Sequence, residues 1–321
     1  MDVPKANLLF QADNAIVMAN NAIVMANNAI VMADNAIVMA DNAIVSTNNA
    51  IVSAYNKDSR LPIRLIKENI MPTERVALVT GANQGVGFQI AKELVANGVT
   101  VFVGSRDFER GKTAAEEIGA GATALQIDVT DRVSIDAAAE RIRKEFGRLD
   151  LLVNNAAISN INKGNLSLEE YFKISRASNA PLDEIRAVWE TNVFGALSVY
   201  QAMLPLLRES SDARIVNVSS GVGSLTTNAD PNFPSHASYG PIYPASKAAL
   251  NAMTLAMMIE LESTGIKVNL VSPAFTKTNL NGYAGTESVE DGSREVVRVA
   301  LLGPDGPTGT FTRWENTTIP W

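Results

Sequence analysis

Short apolar runs alternate with helix-like stretches along most of the chain, and the first run ends in a glycine-rich turn. The run Val76-Ala-Leu-Val-Thr80 leads into Gly81, and Gly85 and Gly87 precede a helical pattern that begins at Phe88. Strands that alternate with helices predict a parallel sheet with helices on both faces. Glycines at such a turn let the backbone approach a pyrophosphate, whose charge is favoured by the N–H groups at the helix start. We therefore predict an α/β fold with a doubly wound parallel sheet that binds a dinucleotide.

The next two apolar runs complete a β-α-β-α-β beginning. One run, 99–103, leads to Ser105-Arg106-Asp107, and the other spans 122–127. A dinucleotide fold reads the adenosine ribose at the end of its second strand, where an acid suits a 2′-hydroxyl and an arginine suits a 2′-phosphate. Arg106 therefore favours NADP(H), although Asp107 could instead pair with it or prefer a hydroxyl.

Tyr243 and Lys247 lie one helical turn apart in the run Tyr-Pro-Ala-Ser-Lys. Residues four positions apart project from one helix face, so the ammonium favours the phenolate and makes the tyrosine a better proton relay near neutral pH. The same spacing is also typical of a solvated helix face. The pair indicates acid–base chemistry only in combination with its neighbours.

Those neighbours are polar residues after predicted strands or within a predicted helix. The apolar run 149–153 leads to Asn155, the run 214–218 leads to Ser220, and Asn192 lies in the helical stretch between them. The carboxyl ends of parallel strands face the ligand in open α/β sheets. Asn155 is therefore expected beside the cofactor.

The ordered set Thr-Gly-x-x-x-Gly-x-Gly, Asn-Asn-Ala, Asn192, Ser220, Tyr-x-x-x-Lys and a proline after a sixth apolar run resembles the short-chain dehydrogenase/reductase family. The resemblance covers about residues 74–315 and implies a single Rossmann-type domain. Ser220 and Tyr243 are 23 positions apart, and the insertion 221–242 between them is similar to the carbonyl-reductase-like branch. Such an insertion lines the substrate pocket or forms an ordinary surface loop.

The resemblance implies roles for individual residues. Tyr243 would protonate a carbonyl oxygen as hydride from the nicotinamide reaches the carbon, and Ser220 would stabilise the charge that develops on that oxygen. Lys247 would lower the tyrosine pKa and hold the nicotinamide ribose, and Asn192 would help to position a water that refills the proton. The implied cofactor contacts are Gly81, Asn83, Gln84, Gly85, Val86, Gly87, Arg106, Asp128, Val129, Asn155, Tyr243, Lys247 and Thr276.

Two alanines depart from the family pattern. Ala157 and Ala274 stand where the family usually has glycine, and each adds a methyl group close to the expected cofactor site. The only histidine, His236, lies in the insertion. We interpret it as a loop residue, because the tyrosine–lysine pair already accounts for the nearby serine without a hydrolase triad.

A seven-residue repeat precedes the predicted domain. Asn14 and every seventh residue as far as Asn49 are followed by Ala-Ile-Val. Five apolar residues followed by an Asn/Asp pair match neither a coiled-coil stripe nor a membrane span, and the start lacks a secretory core. The repeat is interpreted as a disordered or partly helical appendage, a β-prone interaction module, or translated repetitive sequence without function. We divide the chain into a low-complexity repeat segment with its linker, 1–70, and an NADP-binding domain, 71–321.

The composition excludes several classes of function. A formal net charge of −7 gives no electrostatic reason to bind nucleic acid or an anionic membrane. With no cysteine and one histidine, thiol nucleophiles, disulfides and zinc sites built on those ligands are not expected. We expect small-molecule partners, no metal and a cytoplasmic location, and leave the choice between monomer and homo-oligomer open.

These residues together predict an NADPH-dependent oxidoreductase that reduces a ketone or aldehyde carbonyl to an alcohol. An alternative from another class is a non-catalytic NADP-binding scaffold whose repeat recruits partners. A dehydratase or epimerase on the same fold is a third reading. The presence of Asn192, Ser220, Tyr243 and Lys247 together favours the reductase.

Overall fold

The structure is a computed structural model that describes residues 75–161, 170 and 173–321. The predicted repeat segment, 1–70, lies outside these residues.

The described residues form one mixed sheet of eight strands in the order β3-β2-β1-β4-β5-β6-β7-β8. All neighbours pair in parallel except β7 and β8, which are antiparallel. The predicted doubly wound parallel sheet is confirmed. The strands are β1 (Val76–Val79), β2 (Thr100–Ser105), β3 (Ala122–Gln126), β4 (Leu151–Asn154), β5 (Arg214–Val218), β6 (Lys267–Val271), β7 (Phe311–Arg313) and β8 (Thr317–Thr318).

Helices connect the parallel strands, and short polar caps define where several of them begin. The Asp107 carboxylate accepts from the Arg110 N–H at the start of one helix, and the Asp131 carboxylate accepts from the Val133 N–H at the start of the next. The helices are α1 (Gly85–Ala96), α2 (Phe108–Ile118), α3 (Arg132–Phe146), α4 (Leu182–Trp189), α5 (Ala196–Leu207), α6 (Leu225–Ala229), α7 (Tyr243–Leu261) and α8 (Val289–Ala300). None of these helices is long and apolar enough to cross a membrane.

Both faces of the sheet are buried, which explains why the strands read as continuous apolar runs. Along β1, Val76 and Leu78 join one apolar cluster, whereas Ala77 and Val79 join the cluster on the opposite face. The strand order reverses between β1 and β4. A crevice at the carboxyl ends of these two strands is the usual ligand site of an open α/β sheet.

Candidate active site

A cleft of about 640 Å³ lies at the carboxyl ends of β1 and β4, within the size range of small-molecule sites. The structure places most of the predicted cofactor contacts on its wall. Asn192, Ser220 and Thr276 are not among the lining residues. The predicted residues that line the cleft are Gly81, Asn83, Gln84, Gly85, Val86, Gly87, Arg106, Asp128, Val129, Asn155, Tyr243 and Lys247.

The glycine turn is too tight for side chains at its key positions. Gly81 and Gly85 adopt φ values of 64° and 59°, which L-residues rarely occupy. A Cβ on Gly87 would lie 2.4 Å from the Gly81 carbonyl oxygen and 2.3 Å from the Asn155 amide nitrogen. The backbone itself therefore forms this wall of the cleft, followed by the start of α1, and this arrangement fits a pyrophosphate.

Asn155 and Thr80 hold the turn against the end of β4. The Asn155 amide nitrogen donates to the carbonyl oxygens of Thr80 and Gly81 at 2.9 and 3.2 Å. In return, the Thr80 hydroxyl oxygen accepts from the backbone N–H groups of Asn155 and Ala156 at 3.0 and 3.1 Å. The Asn155 side chain thus shapes the turn through bonds to its backbone.

At the end of β2, Asp107 has partners other than Arg106. The Asp107 carboxylate caps α2 by accepting from the Arg110 N–H at 3.1 Å, and it lies 3.7 Å from the Arg110 guanidinium. Arg106 is exposed and lines the cleft, and no ion pair of its guanidinium occurs among the described residues. Its side chain is therefore available to a ligand group at this end of the cleft.

Asp128 and Val129 follow β3 at the same end of the cleft. The Asp128 carboxylate accepts from the Thr130 N–H and hydroxyl at 2.9 and 2.7 Å. A Cβ on Gly195 would lie 2.9 Å from Val129, so the two segments pack closely. The Asp128 carboxylate is thus engaged in its own turn at the wall of the cleft.

Lys247 is a buried ammonium beside Tyr243. The two residues lie in the first turns of α7, and the Lys247 Nζ is 5.7 Å from the centre of the Tyr243 ring. Nζ donates to the Val218 carbonyl oxygen at 2.8 Å. Burial lowers the pKa of Lys247 to about 7, because the charged form loses its hydration.

The two serines after β5 have different surroundings. Ser219 is buried, and its hydroxyl donates to the Asn251 side-chain oxygen at 2.6 Å. Ser220 is only partly buried and begins a short helical turn, Gly221–Gly223. The Ser219 hydroxyl is thus committed to the interior, although Ser219 lines the cleft and Ser220 does not.

Asn192 lies in a turn of π-helix, Glu190–Gly195, between α4 and α5. Its side-chain oxygen accepts from the Ile158 N–H, and its amide nitrogen donates to the Ile158 carbonyl oxygen, both at 2.9 Å. Single π turns inside α-helices are frequent at functional sites. No feature of the sequence predicts this one.

Sequence reasoning missed Thr278, which lines the cleft in place of Thr276. The Thr276 hydroxyl is buried and donates to the Pro273 carbonyl oxygen at 2.6 Å. A Cβ on Gly85 would lie 3.5 Å from the Thr278 methyl group, which puts Thr278 opposite the glycine turn. The sequence signal that could have indicated Thr278 is its hydroxyl, two positions after that of Thr276. Other lining residues that were not predicted include Ile127, Ala156, Lys277 and Leu280.

The insertion 221–242 is folded around its own hydrogen bonds. The His236 Nδ1 lies 2.8 Å from the Asn228 carbonyl oxygen, and the Ser235 hydroxyl donates to the Asn228 side chain at 2.6 Å. The structure places His236 at the start of a short 3₁₀ turn, His236–Ser238, within this insertion and bonded to it.

The family model described as short chain dehydrogenase matches residues 75–288, more than half of the chain. The chain belongs to the short-chain dehydrogenase/reductase family. It is an oxidoreductase of this family, whose members act on carbonyl or alcohol groups with a nicotinamide cofactor. The buried Lys247 and the glycine turn give this short-chain dehydrogenase the surfaces that fit such a cofactor.

The match with this chain covers nearly the whole length of several named relatives. Short-chain dehydrogenase anuI of Penicillium roqueforti is 37% identical over 257 residues, 77% of this chain and 97% of that protein. The structure of salutaridine reductase from Papaver somniferum matches with a TM-score of 0.62 at 32% identity, covering 74% of this chain and 99% of that one. The NADPH-bound carbonyl reductase from chicken fatty liver matches with a TM-score of 0.63 at 27% identity, covering 77% and 99%.

Replacing Ala274 with glycine is expected to stabilise this short-chain dehydrogenase. Ala274 adopts a φ of 59°, where a Cβ costs about 1–2 kcal/mol, partly offset by the greater freedom of glycine in the unfolded chain. We expect Ala274→Gly to raise the free energy of unfolding by about 0.5–1 kcal/mol in urea titrations. Ala284→Gly, in the same exposed loop but without a positive φ, should lower it. A loss of stability in both variants would contradict the strain at Ala274.

Replacing Lys247 with methionine is expected to stabilise the protein without ligand. Since burial lowers the Lys247 pKa from 10.5 to about 7, the unfolded chain binds more protons between these values and wild-type stability rises with pH across that window. Lys247→Met removes this penalty and should raise the free energy of unfolding at pH 7 by a few kcal/mol, at about 1.4 kcal/mol per pKa unit, and its advantage should shrink towards pH 10. Denaturation midpoints at both pH values measure this, with exposed Lys144→Met as the control. An advantage that does not change with pH would contradict the burial effect.

Proposed function

We propose that this chain is an NADPH-dependent carbonyl reductase that converts a ketone or aldehyde into an alcohol. The observation that carries the proposal is the placement of Tyr243 and the buried Lys247 in one cleft with the glycine turn. NADPH, when bound, supplies the hydride that reaches the carbonyl carbon. The rest of the chemistry falls to residues of the chain.

Tyr243 donates its phenolic proton to the substrate oxygen as the carbonyl carbon becomes a carbinol. The phenolate that remains is stabilised by the Lys247 ammonium, which lies 5.7 Å from the ring centre. The Val218 carbonyl holds this ammonium in place. Lys247 therefore acts on the proton donor and also presents its remaining N–H groups to the cofactor ribose.

Ser220 donates a hydrogen bond to the substrate oxygen, where negative charge develops before the proton arrives. Its backbone position is supported by the next residue, because the Gly221 N–H donates to the Ser272 hydroxyl oxygen at 3.0 Å. Asn192 is proposed to act in the proton path. Its side chain is occupied by hydrogen bonds to Ile158. The backbone of the π turn around it would therefore position the water.

The preference for NADPH rests on Arg106. Its guanidinium lies at the end of β2, exposed at the cleft, while Asp107 is occupied by α2 and Arg110. A guanidinium suits a 2′-phosphate by bidentate hydrogen bonding. The chicken relative named as an NADPH-bound carbonyl reductase agrees with this preference.

The substrate is proposed to be a small molecule with a substantial apolar skeleton. Leu280 and Tyr283 line the cleft from the loop between β6 and α8, and Phe275 in the same loop is 54% exposed. The Ser159 hydroxyl donates to the Leu280 carbonyl oxygen and ties this loop to the end of β4. Apolar side chains near a cleft favour apolar ligands, and two relatives are named as reductases of salutaridine and of carbonyls.

Tyr243→Phe is expected to lower kcat by about 10²–10⁴-fold, since it removes the proton donor. The ring remains, so NADPH binding measured by fluorescence titration should stay within about twofold of wild type. Tyr200→Phe is the control, because the Tyr200 hydroxyl donates to Glu260 and does not line the cleft. Full turnover in Tyr243→Phe would refute the proposed mechanism.

Arg106→Ala is expected to weaken NADPH binding by at least about tenfold, the loss of a charge-assisted contact to the 2′-phosphate. NADH lacks this phosphate, so its dissociation constant should barely change. Arg110→Ala removes a neighbouring guanidinium that pairs with Asp107 instead of lining the cleft, and it should leave both constants near wild type. Equal losses for NADPH and NADH in Arg106→Ala would rule out phosphate recognition.

A further inference from the structure

A buried hydroxyl connects two of the residues assigned to the reaction. Ser246 is fully buried on α7, one position before Lys247. Its Oγ donates to the Tyr243 carbonyl oxygen at 2.7 Å. The same oxygen accepts from the Asn192 amide nitrogen at 3.0 Å.

We propose that Ser246 is a positioning residue for the reductase reaction, holding the Asn192 side chain and the first turn of α7 in one arrangement. The inference rests on the proposed function and adds a residue to it. Ser246 does not line the cleft, so it acts through Asn192 and Tyr243 and not on the substrate.

The Asn192 side chain has its hydrogen-bonding groups occupied by two partners. Its oxygen accepts from the Ile158 N–H, and its nitrogen donates to the Ile158 carbonyl oxygen and to Ser246. Asn192 is itself buried, with 1% of its surface exposed. Removal of the Ser246 hydroxyl therefore leaves one amide N–H without an acceptor where water has little access, and an unsatisfied buried donor favours a different side-chain orientation.

The hydroxyl also joins segments that are distant in the chain. Ile158 follows β4, Asn192 lies in the π turn, and Tyr243 begins α7. A hydroxyl that donates to one segment and accepts from another fixes their relative position through two short bonds. Proton transfer depends on such placement, because a misplacement of about 1 Å costs on the order of a hundredfold in rate.

α7 supplies a matched control at Thr254. The Thr254 hydroxyl is also fully buried, donates to a helix carbonyl, that of Leu250, at 2.7 Å, and accepts from an asparagine amide, that of Asn217, at 2.8 Å. Asn217 lies in the interior of β5 and does not line the cleft. Thr254→Val thus removes the same pair of bonds without touching the proposed reaction.

Ser246→Ala is expected to lower kcat by about tenfold while KM and the NADPH dissociation constant stay within about twofold, a pattern that a transition-state effect produces. Thr254→Val should lose about as much thermal stability as Ser246→Ala and keep the kcat of the wild type. Equal losses of kcat in the two variants, or an unchanged kcat in Ser246→Ala, would overturn the inference.

Side-chain amide exchange measured by NMR on the full chain separates this inference from the proposed function. The Asn192 amide signals are identified by their absence in Asn192→Asp. In Ser246→Ala these signals should exchange with solvent at least about tenfold faster, because a hydrogen-bond acceptor is lost; in Thr254→Val they should not change. Wild-type protein without any turnover would refute the reductase, whereas unchanged Asn192 signals in Ser246→Ala would refute the positioning role.

Discussion

The site depends on a lysine ammonium held inside the protein at the carboxyl end of β5. Lys247 donates to the Val218 carbonyl, and the turn after Ser220 packs directly on its backbone. A Cβ on Gly223 would lie 2.9 Å from the Lys247 Cβ. The strand end, the serine turn and the tyrosine helix must therefore fit together around one charged side chain.

This arrangement favours chemistry at the expense of stability. A buried ammonium with one protein acceptor is costly, and its lowered pKa expresses that cost. Ala274, with its positive φ, adds strain close to the cleft. Such penalties persist at functional sites when the surrounding structure over-determines them. Here the doubly buried sheet supplies that support.

Local patterns in the sequence were enough for the strands, the glycine turn and the tyrosine–lysine helix, because each depends on residues that are close in the chain, and the alternation of strands and helices implied a parallel sheet. Contacts between distant segments were not predictable in this way. The sequence did not show whether Asp107 pairs with Arg106, and in the structure Asp107 instead caps α2. The place of Thr278 opposite Gly85, the π turn at Asn192 and the bond from Asn192 to Ser246 all depend on tertiary packing.

The central claim is that the cleft transfers hydride from NADPH to a carbonyl carbon. The most direct measurement is incubation of the full chain with NADPH that carries deuterium at both hydrogen positions of nicotinamide C4 and a panel of bulky apolar ketones and aldehydes, followed by mass spectrometry of the products. The account predicts an alcohol that carries deuterium on the carbinol carbon, formed about 10²–10⁴-fold more slowly by Tyr243→Phe. Tight NADPH binding without a labelled alcohol from any compound of the panel would contradict it.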